Sequence, residues 1–403
     1  MKKDCIIYYG AFLTDRVASQ RSLPILNNAA TKRILRVAQG LDGTDRRCFV
    51  LSSGLVPKIK STWRVLPALF DRVEGIPLIV LSQLGVRYLG YFVTPITAIL
   101  AAIRIRKKRK FGTIIQYNYY PDAFIFALWC KVVYRSKVVL DLEDVSVPRW
   151  SDWKKGSEAR PFGEIWCWLL MKLSIWNADL VFSPSRKLSC VVRDKRKFMA
   201  VTGCQRIDKN VSDAKHDSGG LHILMSGGIK FENGIEILAD AVRLADKKQL
   251  KSKLDITVCG SGKYEWLRER IGQLSQIKVC YRGFLSFSEF DALYKTVDIC
   301  LALQQPNGRY GQFKAPSKGY EALCSGKALI VSDVGDFDDL PEDVCYKLKP
   351  YTAVRLAEIM SGLTLKEVSS KKINALVYSR DNFESSIVGQ RILTKLKELT
   401  QKR

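Results

Sequence analysis

The stretch Pro316-Ser317-Lys318-Gly319-Tyr320-Glu321-Ala322-Leu323-Cys324-Ser325-Gly326-Lys327-Ala328-Leu329-Ile330-Val331-Ser332-Asp333 joins a short helix, a stop and a strand. Proline suits the first helical position, where its missing N–H costs nothing, and Gly326 suits the position just past the helix end. Ala328–Val331 then reads as a buried strand. The loop before the helix, Gln304 to Ala315, is polar and holds Gly308 and Gly311. A loop feeding a helix N-terminus offers backbone N–H donors and the positive end of the helix dipole to a phosphate. Lys318 falls in the first turn and adds a cation. Glu321 falls one turn on, where its carboxylate can accept two adjacent hydroxyls of a ribose. The same spacing also fits a surface helix with a weak Lys318–Glu321 pair in the less favourable order.

Outward from this stretch, apolar strand-like runs alternate with helical patterns. In the second half the strands are Leu221–Ser226, Leu254–Cys259, Ile277–Tyr281, Ile299–Ala302 and Ala328–Val331, with Val344–Leu348 as a further short one. The helices between them are Asn233–Ala245, Lys263–Gln273, Ser286–Lys295 and Pro316–Ser325. In the first half Cys5–Tyr9, Cys48–Ser52, Thr113–Gln116, Val138–Leu142 and Leu180–Ser183 alternate with helical Asn28–Gly40, Ala123–Tyr134 and Phe162–Trp176. Such alternation predicts parallel sheets covered by helices on both faces. The polar stretch 206–220 reads as a linker. The expected organisation is therefore α/β: two Rossmann-like doubly wound domains, 1–205 and 221–381, facing a central cleft. An amphipathic tail helix over 382–402, with Phe383, Ile387, Val388, Ile392, Leu393, Leu396 and Leu399 on one face, is expected to cross back onto the first domain. Ligands in such folds sit at the carboxyl ends of strands.

The motif Pro316-x-Lys318-x-x-Glu321, followed by a small-residue helix, Gly326 and a strand ending Val331-Ser332-Asp333, resembles the donor-site signature of retaining GT-B glycosyltransferases (the glycosyl transferases group 1). Further pieces fall in the family's order: Ser226-Gly227-Gly228-Ile229 through Asn233-Gly234-Ile235-Glu236, Val258-Cys259-Gly260-Ser261-Gly262, Tyr281-Arg282-Gly283-Phe284 and Val297-Asp298-Ile299. Asn177-Ala178-Asp179-Leu180 looks like its last acceptor-domain strand. The resemblance implies a GT-B fold and transfer of a sugar from a nucleotide-diphosphate donor, with no metal and no further cofactor. It implies donor contacts from Gly228, Lys230, Gly260, Gly262, Arg282, Arg309, Gly311, Gln312, Phe313, Pro316, Lys318 and Glu321. Same-face attack assisted by the leaving phosphate needs no histidine base. Phe313 stands where many members carry a first motif Glu. Gly228 and Asn233 stand where many carry an Arg and a Lys for the diphosphate, leaving Lys230, Arg309 and Lys318 as the nearest cations. Asn28-Ala29 replaces a Gly-Gly pair at the start of the first-domain helix.

In the first domain Asp141-Leu142-Glu143-Asp144 follows an apolar strand. Glu143 and Asp144 are candidates for acceptor hydroxyls, with Gly10, Asn28 and the pair Trp150 and Trp153 beside them. The expected catalytic set is Lys318, Glu321 and Asp144. The carboxylates serve equally as strand-end caps or partners for Arg149.

The 403 residues carry a formal charge of +25. Residues 1–218 hold 37 basic and 18 acidic side chains, so most of the excess lies there. The apolar run Tyr88–Ile103 leads into Arg104, Arg106, Lys107, Lys108, Arg109 and Lys110. It is too short for a ~20-residue span. Followed by a basic cluster it suits an anionic leaflet, or a core helix whose last turn complements its dipole. The N-terminal run Cys5–Tyr9 is too short for a signal peptide and reads as a first strand. The eleven Cys lack any CxxC or Cys/His cluster and read as buried free thiols. The two histidines, His216 and His222, nearly exclude a His-based triad. The expected setting is cytoplasmic, peripheral at the inner face of the plasma membrane, with a nucleotide sugar, a lipid-linked saccharide or polysaccharide (lipopolysaccharide or capsule) acceptor and an anionic membrane surface as partners. The alternatives are a non-catalytic GT-B scaffold binding membrane or anionic glycan, and nucleic-acid binding, for which charge alone speaks without a recognition motif.

Overall fold

A computed structural model of the chain describes residues 4–21, 28–43, 46–53, 65–84, 87–146, 161–207, 220–306, 313 and 315–401. The chain divides into two compact units, Met1–Cys204 with Ser385–Arg403, and Gln205–Glu384.

In the first unit the order is β1 (Asp4–Gly10), α1 (Asp15–Gln20), α2 (Asn28–Leu41), β2 (Arg46–Ser52), β3 (Val65–Leu66), β4 (Leu69–Val73), β5 (Ile76–Val80), β6 (Gln83–Leu84), α3 (Arg87–Lys108), β7 (Lys110–Tyr117), α4 (Pro121–Tyr134), β8 (Lys137–Asp141), α5 (Pro161–Asn177), β9 (Leu180–Ser183) and β10 (Phe198–Ala200). The main sheet runs β10-β9-β8-β7-β1-β2-β5-β4. All its pairings are parallel except the β4–β5 hairpin, whose tip residues Glu74 and Gly75 both take positive φ. That geometry matches the twist of a two-residue hairpin. The pleat of β1 divides the core: Ile6 and Tyr8 join side chains of α2, while Cys5, Ile7 and Tyr9 join side chains of α3 and α4.

In the second unit the order is β11 (Leu221–Ile229), α6 (Ile235–Asp246), β12 (Leu254–Gly262), α7 (Tyr264–Ile271), β13 (Lys278–Gly283), α8 (Phe287–Lys295), β14 (Ile299–Ala302), α9 (Ser317–Cys324), β15 (Ala328–Ser332), β16 (Tyr346–Leu348), α10 (Ala353–Gly362) and α11 (Leu365–Phe383). Its sheet is parallel throughout, in the order β13-β12-β11-β14-β15-β16. Ile223 and Met225 face one core layer and Leu224 the other. Both sheets are thus doubly wound α/β sheets.

Three details differ from the sequence reading. Pro316 is the residue before the helix, not its first turn: it is extended (φ −60°, ψ 105°), and α9 begins at Ser317. The tail helix, α12 (Ser385–Gln401), begins at Ser385 instead of 382, after a break at the extended Glu384. Phe383 therefore ends α11 and is buried with Tyr320 and Phe337 in the second unit. Gln205–Ile207 and Gly220 belong to the second unit, and 208–219 lie outside the described residues. No described helix is long and apolar enough to cross a membrane. None of the eleven cysteines forms a disulfide; eight are buried, Cys280 is half-buried, and Cys167 and Cys190 are exposed.

Helix α12 is fastened to α2 by a glycine crossing. A β-carbon on Gly389 would stand 1.8 Å from the Gly40 carbonyl oxygen, so the two backbones meet with no room for a side chain. Val388 and Ile392 fill the apolar seam beside it. Gly389→Val is expected to push the helices apart and destabilise the first unit by about 1–3 kcal/mol, the usual cost of overpacking. Chemical denaturation measures it. Gly43→Val, open around its Cβ, is the control.

Candidate functional site

In the second unit the chain builds outward from β11 to β12 and β13, then returns to the other side of β11 with β14. The carboxyl ends of β11 and β14 therefore flank the topological switch point, where open α/β sheets bind ligands. Several residues singled out above meet there. Lys318, on the first turn of α9, donates from Nζ to the Ser226 carbonyl at the end of β11. It passes directly over Gly227, whose φ is +104° and whose absent β-carbon would lie 1.6 Å from Nζ. Gly228 follows, and its carbonyl accepts from Asn233 Nδ2 at 2.7 Å. The adjoining strand is in register, pairing Gly227 with Gly260 and Ile229 with Gly262. Burial pushes the Cys259 thiol up, while the Lys318 and Arg282 cations pull it back, which places both charges around the end of β12. Glu321 is half-buried on the same helix. Burial first, then Cys300 and Glu321, pushes the Tyr294 phenol well up, so this carboxylate faces the β14 side. The arrangement is a cation and a glycine turn at one sheet edge, suited to an anion approaching the backbone closely.

The first unit has its own switch point, between β1 and β7. Gly10 ends β1 there. Asp141 ends β8 and is fully buried, gripped by Arg33 of α2 through Nε at 3.0 and 3.1 Å and a terminal nitrogen at 2.7 Å. Tyr8 donates its hydroxyl to the same carboxylate. Burial works against the Arg33 charge, but Asp141 outweighs it and holds the guanidinium above its ordinary pKa. Beyond this pair, Tyr117 donates to Glu143. Asn118, in a left-handed conformation, accepts from the backbone N–H of Glu143 at 2.9 Å and of Asp144 at 3.1 Å, and donates to the Asp144 carboxylate at 2.9 Å. Glu143 is half-buried and Asp144 exposed. Asn118 thus fixes the backbone of both residues and the Asp144 carboxylate, while Tyr117 holds the Glu143 carboxylate. Among the described residues no group of three or more His, Cys, Asp or Glu is placed to share a metal ion.

Residues 220–363 match the family model described as glycosyl transferases group 1. No curated protein matches the sequence. Solved structures match it along nearly its whole length. Anabaena HepE, in complex with UDP and glucose, is 15% identical, with a TM-score of 0.59 over 98% of this chain and 100% of its own. The trehalose 6-phosphate synthase of Burkholderia multivorans is 11% identical, with a TM-score of 0.64 and full coverage of both chains. The lipopolysaccharide outer core galactosyltransferase WaaB is 13% identical, with a TM-score of 0.59 over 98% and 99%. The chain has the GT-B fold, and its residues 220–363 are similar to the glycosyl transferases group 1.

Placed on this GT-B frame, the other sequence candidates scatter. Lys230 is exposed just after β11, and Arg282 is exposed at the end of β13. Phe313 is half-buried before α9. Arg309, Gly311, Gln312, Trp150 and Trp153 lie outside the described residues, as does the side chain of Asn28, the first residue of α2. His222 is held between β12 and the end of α8, its Nε2 2.8 Å from Thr257 Oγ1 and its Nδ1 3.1 Å from Thr296 Oγ1. In the basic cluster, Arg106 stacks over Tyr134 at 4.1 Å and Arg109 over Phe49 at 5.6 Å, while Arg104, Lys107, Lys108 and Lys110 are exposed. Sequence reasoning missed Arg33, Tyr117 and Asn118, whose roles depend on partners 25 or more residues away.

Burial pushes the Glu143 carboxyl above the usual carboxylate range, with Arg33 and the Tyr117 hydroxyl pulling part of the way back. A carboxyl raised in the folded state makes the native protein bind more protons than the unfolded chain above the ordinary range, so its contribution to stability falls as pH rises there. Glu143→Gln keeps the acceptor for Tyr117 and removes that charge. It is expected to raise the thermal midpoint at pH 7, by an increment worth about 1.4 kcal/mol per pK unit of displacement. The gain should vanish towards pH 4. Melts of both proteins across pH 4–8 measure it; a gain that grows towards acid would contradict the assignment.

Proposed function

We propose that this protein is a retaining, metal-independent glycosyltransferase. It takes a sugar from a nucleotide-diphosphate donor bound by the second unit and passes it to a lipid-linked or surface-polysaccharide acceptor, lipopolysaccharide or capsule, at the cytoplasmic face of the membrane. The observation that carries the reading is Lys318 standing over Gly227 at the β11–β14 switch point. As the sugar–phosphate bond breaks, negative charge grows on the leaving diphosphate, and a fixed cation and helix N-terminus stabilise it there. The complexes of HepE with UDP and glucose, and the galactosyltransferase activity named for WaaB, support a nucleotide-sugar donor and a surface-glycan acceptor. Glu321 takes the ribose hydroxyls. Glu143, held by Tyr117, and Asp144, held by Asn118, take acceptor hydroxyls, with Asp144 the more accessible. The basic α3 end and the net charge of the first half suit an anionic leaflet.

A thermal-shift screen against nucleotides and nucleotide sugars tests the donor. A true ligand at 100 times its Kd adds about 2.7 kcal/mol. Glu321→Ala is expected to weaken nucleotide binding by about 1.5–3 kcal/mol, the worth of a charge-assisted hydrogen bond. Transfer should survive chelation of divalent ions. A second reading, a GT-B scaffold that binds without catalysis, is favoured by one observation: Asn233, standing where many members carry a Lys, spends its amide on the Gly228 carbonyl. Hydrolysis of a labelled nucleotide sugar by the wild-type protein excludes it.

A further inference from the structure

On one face of the first unit's sheet, α3 and α4 cover the centre, and the β5–β4 edge extends beyond α3. Between α3 and that edge lies a groove of about 450 Å³. Its walls are apolar: Phe49 from β2, Ile79 from β5, Phe70 from β4 and Leu100 from α3. Its volume falls in the range of small-molecule sites. At roughly 30 Å³ per small group, the share of a water in the liquid, it accommodates a chain of about fifteen carbons.

The groove is not apolar throughout. Arg104, Lys108 and Arg109 line one end, and none of its described lining residues is acidic. Arg109 is fixed in place by stacking over Phe49. Arg104 and Lys108 continue a row of side chains spaced one turn apart along α3, preceded by Phe92, Ile96 and Leu100. Those three are 73%, 58% and 51% exposed. An exposed row of this size on a folded domain marks an interaction surface. The site therefore joins an apolar slot, an exposed apolar approach and three cations at a single end.

We propose that this groove binds a single-chain lipid phosphate drawn from a membrane, with the hydrocarbon against Phe49, Phe70, Ile79 and Leu100 and the phosphate held by Arg104, Lys108 and Arg109. A neutral chain would leave the cations without a partner, and a free phosphate would leave the slot empty. The inference deepens the lipid-acceptor reading and rests on it for the source of the ligand. Binding itself requires no donor and no turnover.

The test uses the full chain and farnesyl phosphate below its micelle concentration, followed by titration calorimetry without any nucleotide sugar. Saturable one-to-one binding is expected. Farnesol should bind at least tenfold more weakly, and millimolar inorganic phosphate should not displace the lipid. Arg104→Glu with Lys108→Glu should weaken binding at least tenfold. Ala68→Trp, at an exposed lining position, should do the same by filling the slot, and unchanged melting temperatures establish that both variants fold. Absence of binding, equal affinity for farnesol, displacement by phosphate, or full binding by either variant would overturn the proposal. Attachment to anionic vesicles without uptake of farnesyl phosphate would also overturn it, because the helix would then only rest on the bilayer. Since no donor is present, a failure of the catalytic reading leaves these outcomes unaffected.

Discussion

Arg33→Met is expected to destabilise the protein by about 3–5 kcal/mol, the cost of leaving a buried charge without its partner. The Asp141 side chain is wholly buried and Arg33 nearly so, and the two make three close nitrogen–oxygen contacts. Removing the guanidinium leaves a carboxylate whose remaining side-chain donor among the described residues is the Tyr8 hydroxyl. The pair need not be a net gain over apolar residues of similar size, since buried ion pairs often break even against them. Arg33→Met combined with Asp141→Leu should therefore recover at least half the loss, while the Tyr8 hydroxyl, left without its acceptor, withholds about 1–3 kcal/mol. Urea denaturation of the wild type, the single and the double variant measures all three. An unchanged midpoint in the single variant, or a double variant worse than the single, would contradict a structural role for the pair.

The pairing also shows where reading the sequence stops. Arg33 sits in an amphipathic helix beside Lys32, and nothing local distinguishes the two. Only the parallel pairing that sets β7 between β1 and β8 brings Asp141, 108 residues on, against it. Asp141-Leu142-Glu143-Asp144 was legible as a cluster because charge at the end of an apolar strand is conspicuous. Which carboxylate is buried was not, since that depends on Arg33, Tyr8 and Asn118.

Strands and helices followed from periodicity, since a buried parallel strand is a short apolar run and an amphipathic helix repeats every 3.6 residues. The β4–β5 hairpin escaped because its turn is Glu74-Gly75, lacking the Asn or Asp that usually announces such a turn. The break between α11 and α12 escaped for a related reason. No Gly or Pro marks it; the chain turns on an extended Glu384, whose N–H reaches back to the Ser379 carbonyl at 3.1 Å. Phe383 kept the helical spacing of the tail while packing into the other unit's core.

Lys318→Ala is expected to lower the turnover of donor by about 10²–10³-fold, the usual loss when a fixed donor to a developing oxyanion is removed. KM should change less, because the diphosphate carries more charge in the transition state than in the bound substrate. That result alone would not separate a reacting-site cation from a lysine that merely braces α9 against Ser226. Gly227→Ala separates them. Its methyl would fall 1.6 Å from Lys318 Nζ and 2.9 Å from Cε, at a φ of +104° that disfavours any side chain. The ammonium end must move aside while the lysine and the rest of α9 remain. If position is what matters, Gly227→Ala should approach the Lys318→Ala loss in kcat, and the double variant should be no slower than the worse single, since both act on one group. If Lys318 only braces the helix, the alanine at 318 should instead relieve the clash, and the double variant should turn over faster than Gly227→Ala alone. Initial rates for the four proteins with one labelled donor decide between the two: the double variant matches Gly227→Ala in the first case and outpaces it in the second.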